Sequence, residues 1–179
     1  CSAGGVWATG VLYFLPGLLW HLPRTPSMVP AVNQLGLHPF CQRQALRQVM
    51  AAYQIQPMAW APFAGGQGNL VHHPVLSAIG QAHGKTPAQV VLRWLRQEGI
   101  VAIPKSVHPQ RIRENWDIED FTLSPGELTQ IRALDQNRSW ILDVPNLTEV
   151  YPLHNIPVSH EGGPPMRHTL LAHSLALFL

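Results

Sequence analysis

The sequence predicts an α/β protein built on a parallel sheet, and three observations point there. Short apolar runs alternate with amphipathic helical stretches four times along the chain. Only 12% of the residues are charged while 46% are hydrophobic, which fits strands buried on both faces better than half-solvated ones. Gln34, Trp60 and Lys105 all fall where apolar runs end, and α/β barrels place their sites at the C-terminal ends of their strands. Four such units make half of an eight-unit barrel.

Taken in order, Val6 to Val11 reads as the first strand, and Leu15 to Leu22 as a short helix starting near Pro16. Pro30 to Leu35 is the second strand, punctuated by His38-Pro39. From Gln42 to Tyr53 the apolar positions Ala45, Leu46, Val49 and Met50 repeat at helical spacing. Pro57 to Ala61 is a third strand, followed by a glycine-rich loop from Phe63 to Gly68. Val75 to His83 is a helix that Gly84 terminates. Thr86-Pro87-Ala88-Gln89 combines an N-cap, a proline at the first helical position and a capping-box partner. That helix runs through Trp94 and Leu95 to Gly99. Ile100, Val101 and Ile103 form a short buried strand, and Pro109 opens the next helix. Ser124-Pro125-Gly126-Glu127 repeats the capping chemistry and starts a helix to Leu134. Residues 151–179 are read as an irregular, proline-rich tail, with no structure assigned to the apolar end from Leu170 to Leu179.

Charge is unevenly placed. The first acidic residue is Glu98, so no paired-carboxylate chemistry and no Asp-based triad can be built before it. A net charge of +2, dispersed along the chain, gives no basic patch for nucleic acid. Arg43 and Arg47, four apart, read as a solvated helix face. Cys1 and Cys41 supply neither a disulfide framework nor metal spacing, which makes a reduced, cytoplasmic setting the expectation. Ten histidines form no metal-binding pattern, and His72-His73 read as surface loop. The apolar run from Val11 to Trp20 is too short to span a bilayer and has no basic region before it. The opening Cys1 reads as a start inside a domain.

One stretch carries most of the chemistry. Lys105 and Ser106 follow the fourth strand at once, and Arg111, Glu114 and Asn115 lie on the early turns of the helix begun by Pro109. An ammonium, a hydroxyl, free helix N–H groups and a guanidinium meeting at a strand end make an anion site, with phosphate the best-suited anion. The plainer alternatives are a solvated helix start for Lys105 and Arg111, a core aromatic for Trp60 and a satisfied barrel position for Gln34.

Taken together, Ala31 to Pro39, Ala59-Trp60-Ala61-Pro62, Gly84 to Trp94 and Ile103-Pro104-Lys105-Ser106-Val107 resemble the C-terminal half of an aldo-keto reductase, from about Gly10 to about Tyr151. The resemblance implies a partial (β/α)8 barrel over residues 1–150, about its last four units, and a family that reduces aldehydes and ketones with NADPH and no metal. It implies that Gln34 bonds the nicotinamide carboxamide, Trp60 stacks on the nicotinamide, and the backbone of Ala61 to Phe63 approaches the pyrophosphate. Lys105, Ser106 and Arg111 would hold the adenosine 2′-phosphate, with Glu114 and Asn115 near the adenine and Val107 also among the cofactor-binding residues. Where the family has a Ser-Asn pair, this chain has Leu12 and Tyr13, a change that weakens nicotinamide positioning. The family's catalytic Asp, Tyr, Lys and His belong to strands that this sequence does not contain, so no catalytic residue is assigned. Three readings follow: the cofactor-binding half of a carbonyl reductase, a residual nucleotide-binding module, and a non-enzymatic or unstable half-barrel whose open edges favour self-association.

Overall fold

The computed structural model describes residues 8–14 and 29–139. The chain divides into two compact units, Cys1–Val144 and Pro145–Leu179, and every described residue belongs to the first. The expected helix from Leu15 to Leu22 and the tail after residue 150 lie outside the described residues.

Four parallel strands form one sheet in sequential order: β1 (Gly10–Leu12), β2 (Val32–Gly36), β3 (Gln56–Trp60) and β4 (Val101–Ile103). Each strand lies beside its predecessor, the order of a barrel wall and not of a doubly wound sheet, whose order reverses. The helices are α1 (Gln44–Ala52), α2 (Pro74–His83), α3 (Pro87–Gln97), α4 (Pro109–Trp116) and α5 (Pro125–Arg132), with a kinked 3₁₀ run at Ala64–His72. The capping chemistry is present where the sequence placed it. The side-chain oxygens of Thr86 and Ser124 accept the N–H groups of Gln89 and Glu127, at 3.3 Å in both cases. Gly84 ends α2 in the left-handed conformation at φ 65°.

Register explains which side chains are buried. Leu12, Gln34, Met58 and Val101 lie abreast, as do Gly36, Trp60 and Ile103. Alternation sets this face against the opposite one, where Asn33, Leu35 and Ala59 are fully buried and α1 and α3 pack on β3 and β4. On the first face, Val101 is 43% and Ile103 47% exposed. The expectation of a buried fourth strand and of strands covered on both faces is therefore corrected. Among the described residues helices cover one face, while the other, a barrel's interior face, leaves Val101 and Ile103 exposed. The first strand also needs correcting: Ala8 and Thr9 are irregular, and pairing starts at Gly10 and runs to Leu12.

Most of the covering layer comes from α3, which buries Val90, Val91, Leu92, Trp94 and Leu95. Trp94 is completely enclosed. Gly80 lets the start of α3 approach α2, since a Cβ there would stand 2.5 Å from the carbonyl oxygen of Lys85. A Gly80→Ala variant is expected to lose roughly 1–3 kcal/mol of stability, because the obstacle is backbone and not a movable side chain. Urea denaturation should show the lowered midpoint at unchanged slope.

Ion pairs tie the helices to the later loops. Arg43 is not on the helix face the sequence implied: it precedes α1 in a left-handed conformation and its Nε donates to the Gly36 carbonyl at 3.4 Å. Arg47 is not a free solvated cation either, since its guanidinium meets the Glu98 carboxylate at 2.6 Å with both side chains only 15% exposed. Burial alone would raise the Glu98 pKa, but Arg47 and Arg132 outweigh it and hold the carboxyl below its ordinary value. A group depressed in the folded state adds stability above its unfolded pKa, near 4.5. That contribution is lost as pH falls through the folded value. Glu98→Gln should therefore flatten the acid limb of a stability–pH curve below about pH 4.5.

Candidate functional site

The strand ends bring together much of what the sequence singled out. Trp60 is the last residue of β3, and Lys105 stands two residues beyond β4. Gln34 is not at a strand end: it is the central residue of β2, two places back from the rim, half-buried on the open face beside Leu12 and Met58. Backbone strain collects near this rim. Tyr13 directly follows β1 at φ 54°, Ala61 directly follows β3 at φ 48°, and Ala64 follows at φ 53°. Left-handed conformations in residues with a Cβ cost of the order of 1 kcal/mol each, and they cluster where function holds them.

A cavity of about 430 Å³ opens beside the end of β4. Phe63, Lys105, Ser106, Val107, Arg111, Glu114 and Asn115 line it, which unites seven of the ten expected site residues. Gln34, Trp60 and Ala61 lie outside its wall, on the sheet and the turn after β3. Arg47, Lys85, Arg93, Arg96 and Arg132 each meet a carboxylate. Lys105 and Arg111 make no ion pair with any described residue. The start of α4 has no side-chain cap and no acidic residue in its first turn, and Ser106 Oγ takes the His108 N–H at 3.2 Å. Two uncompensated cations beside open helix N–H groups suit a phosphate monoester. Among the described residues, no group of three or more His, Cys, Asp or Glu is placed to hold a metal ion.

A second group surrounds Gly36. An added Cβ there would lie 2.9 Å from the Tyr13 hydroxyl, 3.6 Å from Ser139 Oγ and 3.9 Å from Trp60 Nε1. Tyr13 meets Trp60 edge-on with ring centroids 6.0 Å apart. Burial pushes the Tyr13 phenol up to about 12, a shift that the indole N–H of Trp60 and the Arg43 charge only partly offset. Asn33 fixes this corner: its side chain accepts the Phe14 N–H at 3.2 Å and donates to the Phe14 carbonyl at 2.8 Å. His38 is held neutral over the ordinary range, its pKa lowered to about 4 first by burial and then by Arg43. The His38 backbone closes the turn through Pro39 and Phe40 by paired bonds to Cys41.

Sequence reasoning missed four residues here. His72, assigned to a surface loop, lines the cavity together with His108. His108 sat unremarked between Val107 and Arg111, a position that could have flagged it. Tyr13 had been seen only as a departure, and Asn33 passed unnoticed, although a polar residue inside an apolar strand is a usable signal. A larger groove of about 940 Å³ runs along the free edge of β4 past Ile112 and Trp116. Its lining is mostly apolar, with two arginines, Arg96 and Arg113, the first of which meets Glu119.

The fold and its rim define four strands of a β/α barrel with a cavity lined by Lys105 and Arg111 at the last of them. The chain belongs to the aldo/keto reductase family, whose pattern matches residues 18–136. It is 45% identical over 135 residues to an aldo-keto reductase of Mycolicibacterium smegmatis, covering 75% of this chain and 48% of the relative. To the methylglyoxal reductase of Escherichia coli it is 39% identical over 135 residues, 75% of this chain and 49% of that one. Among solved structures, an aldo/keto reductase from Brucella melitensis aligns with TM-score 0.67 and 38% identity over 72% of this chain and 48% of that one. A Gox0644 mutant in complex with NADPH aligns with TM-score 0.69 and 36% identity over 74% and 48%. The chain spans about half the length of the curated relatives it matches. Among the described residues, no helix is long and apolar enough to cross a membrane.

Proposed function

We propose that this chain is the NADP(H)-binding half of an aldo-keto reductase barrel, corresponding to its C-terminal four units, and that its 179 residues reduce no carbonyl by themselves. The observation that carries the reading is the cavity beside β4, where Lys105 and Arg111 have no carboxylate partner among the described residues. Lys105, Arg111 and the open N-terminus of α4 hold the adenosine 2′-phosphate, and Ser106 and Val107 shape the turn that places them. Glu114 and Asn115 lie toward the adenine, the backbone from Ala61 to Phe63 toward the pyrophosphate, and Gln34 and Trp60 orient the nicotinamide. When bound, NADPH supplies the hydride. A relative's solved complex with NADPH supports the cofactor.

The absence of turnover follows from proton chemistry. A general acid works best with a pKa near the operating pH. Among the described residues Tyr13 is the tyrosine at this rim, and burial moves it the wrong way, to about 12. No carboxylate precedes Glu98 in the sequence to pair with a lysine near it. A small carbonyl substrate such as methylglyoxal, which a relative is named for reducing, requires the proton donor of a complementary half. Among the described residues β1 and β4 are the edge strands, and their edges suit such a half, or self-association of this chain.

Titration by tryptophan fluorescence tests the binding claim: NADPH should quench, and NADH should bind much more weakly. No quenching in a folded sample contradicts it. In the same cuvette, adding methylglyoxal should leave NADPH absorbance unchanged; oxidation above the protein-free rate would overturn the absence of turnover.

A further inference from the structure

We infer that His72 and His108 are two further ligands of the phosphate in the cavity beside β4, and that they grade its grip with pH. The inference rests on the reading of that cavity as the 2′-phosphate pocket. Five histidines are described, and three are already engaged. His38 is enclosed, with 1% exposure. His73 Nδ1 accepts the Val75 N–H at 3.3 Å and so caps α2. His83 Nε2 meets the Glu127 carboxylate at 2.7 Å. The two whose rings bond to no described residue, His72 and His108, line the same cavity although they are far apart in sequence.

They approach it from different elements. His72 ends the 3₁₀ run that follows β3, and His108 occupies the position just before α4. The remaining charged groups on the wall are Lys105, Arg111 and Glu114, whose carboxylate accepts from Gln110 at 2.9 Å. The start of α3 adds Thr86, Pro87 and Ala88, which carry no charge. The wall thus presents two fixed positive charges and two imidazoles, and imidazole is the side chain that changes charge between pH 5 and 8. A protonated imidazole donates from both ring nitrogens and makes charge-assisted bonds to phosphate oxygens. Each exposed imidazole should therefore add about three- to ten-fold to affinity when it is protonated.

Isothermal titration of the full chain with adenosine 2′,5′-bisphosphate at pH 6 and pH 8 tests this, with 5′-AMP as the probe that lacks the 2′-phosphate. The ligand's own protonation is common to all proteins, so the comparison is between variants. The ratio of affinities, pH 6 over pH 8, should be several-fold larger for the intact chain than for His72→Gln/His108→Gln, and 5′-AMP should show no such difference. An equal ratio in the two proteins overturns the inference. If that happens while Arg111→Ala still loses its preference for the bisphosphate, the pocket assignment stands and only the histidine role fails. If Arg111→Ala also binds both probes as the intact chain does, the pocket assignment fails with it.

Discussion

Arg111→Ala is expected to weaken NADPH binding by about ten- to hundred-fold while changing NADH binding less than about two-fold. The size follows from what the guanidinium replaces. Hydrogen bonds to charged groups are among the stronger ones, and a planar fork can bond two phosphate oxygens at once. Arg111 has no carboxylate partner among the described residues, so no existing ion pair must be broken when a phosphate arrives. That distinguishes it from Arg93, whose side chain is held by Glu119 at 2.7 Å and by the Ile118 carbonyl at 3.2 Å. Arg111→Lys should recover only part of the loss, since an ammonium offers a point charge without the fork. Fluorescence titration with both dinucleotides reads the selectivity directly. Equal losses for NADPH and NADH would place Arg111 on some other part of the ligand.

The second large effect is on stability. Trp94→Ala should cost about 3–5 kcal/mol, the range for removing a large enclosed aromatic. Trp94 is fully buried between α3 and its neighbours, and Val91 and Leu95 on the same helix are equally enclosed, so the space cannot easily collapse. The loss takes a large part of the 5–15 kcal/mol typical of a domain. Its indole N–H has no partner in the interior, which trims the cost slightly because no hydrogen bond is lost with it. Circular dichroism with urea should show a large drop in midpoint, whereas Trp116→Ala, at 88% exposure, should shift it little.

What was legible in the sequence was what local chemistry dictates. Both capping boxes, the terminating Gly84 and the proline-led helices stand where Thr86, Ser124, Gly84 and Pro109 placed them. The cluster from Lys105 to Asn115 was legible because one strand end and the turn and helix after it carry most of it. Burial of β4 was not legible. Ile100, Val101 and Ile103 read as core, and Ile100 is buried, but no described residue covers Val101 and Ile103, and no local pattern reports a missing neighbour. The roles of His72 and Asn33 were hidden for a related reason. Each meets a segment distant in sequence, His72 by lining a cavity with residues of α4 and Asn33 by bonding the backbone of Phe14.

The most direct measurement of the central claim is phosphorus NMR of NADPH with the full chain added. The 2′-phosphate resonance is resolved from the pyrophosphate and reports its own surroundings. With the chain present it should shift and broaden, and the Lys105→Ala/Arg111→Ala variant should return it to the position of free NADPH. A 2′-phosphate signal that stays at its free position, in the presence of folded chain above the concentration of NADPH, would contradict the account.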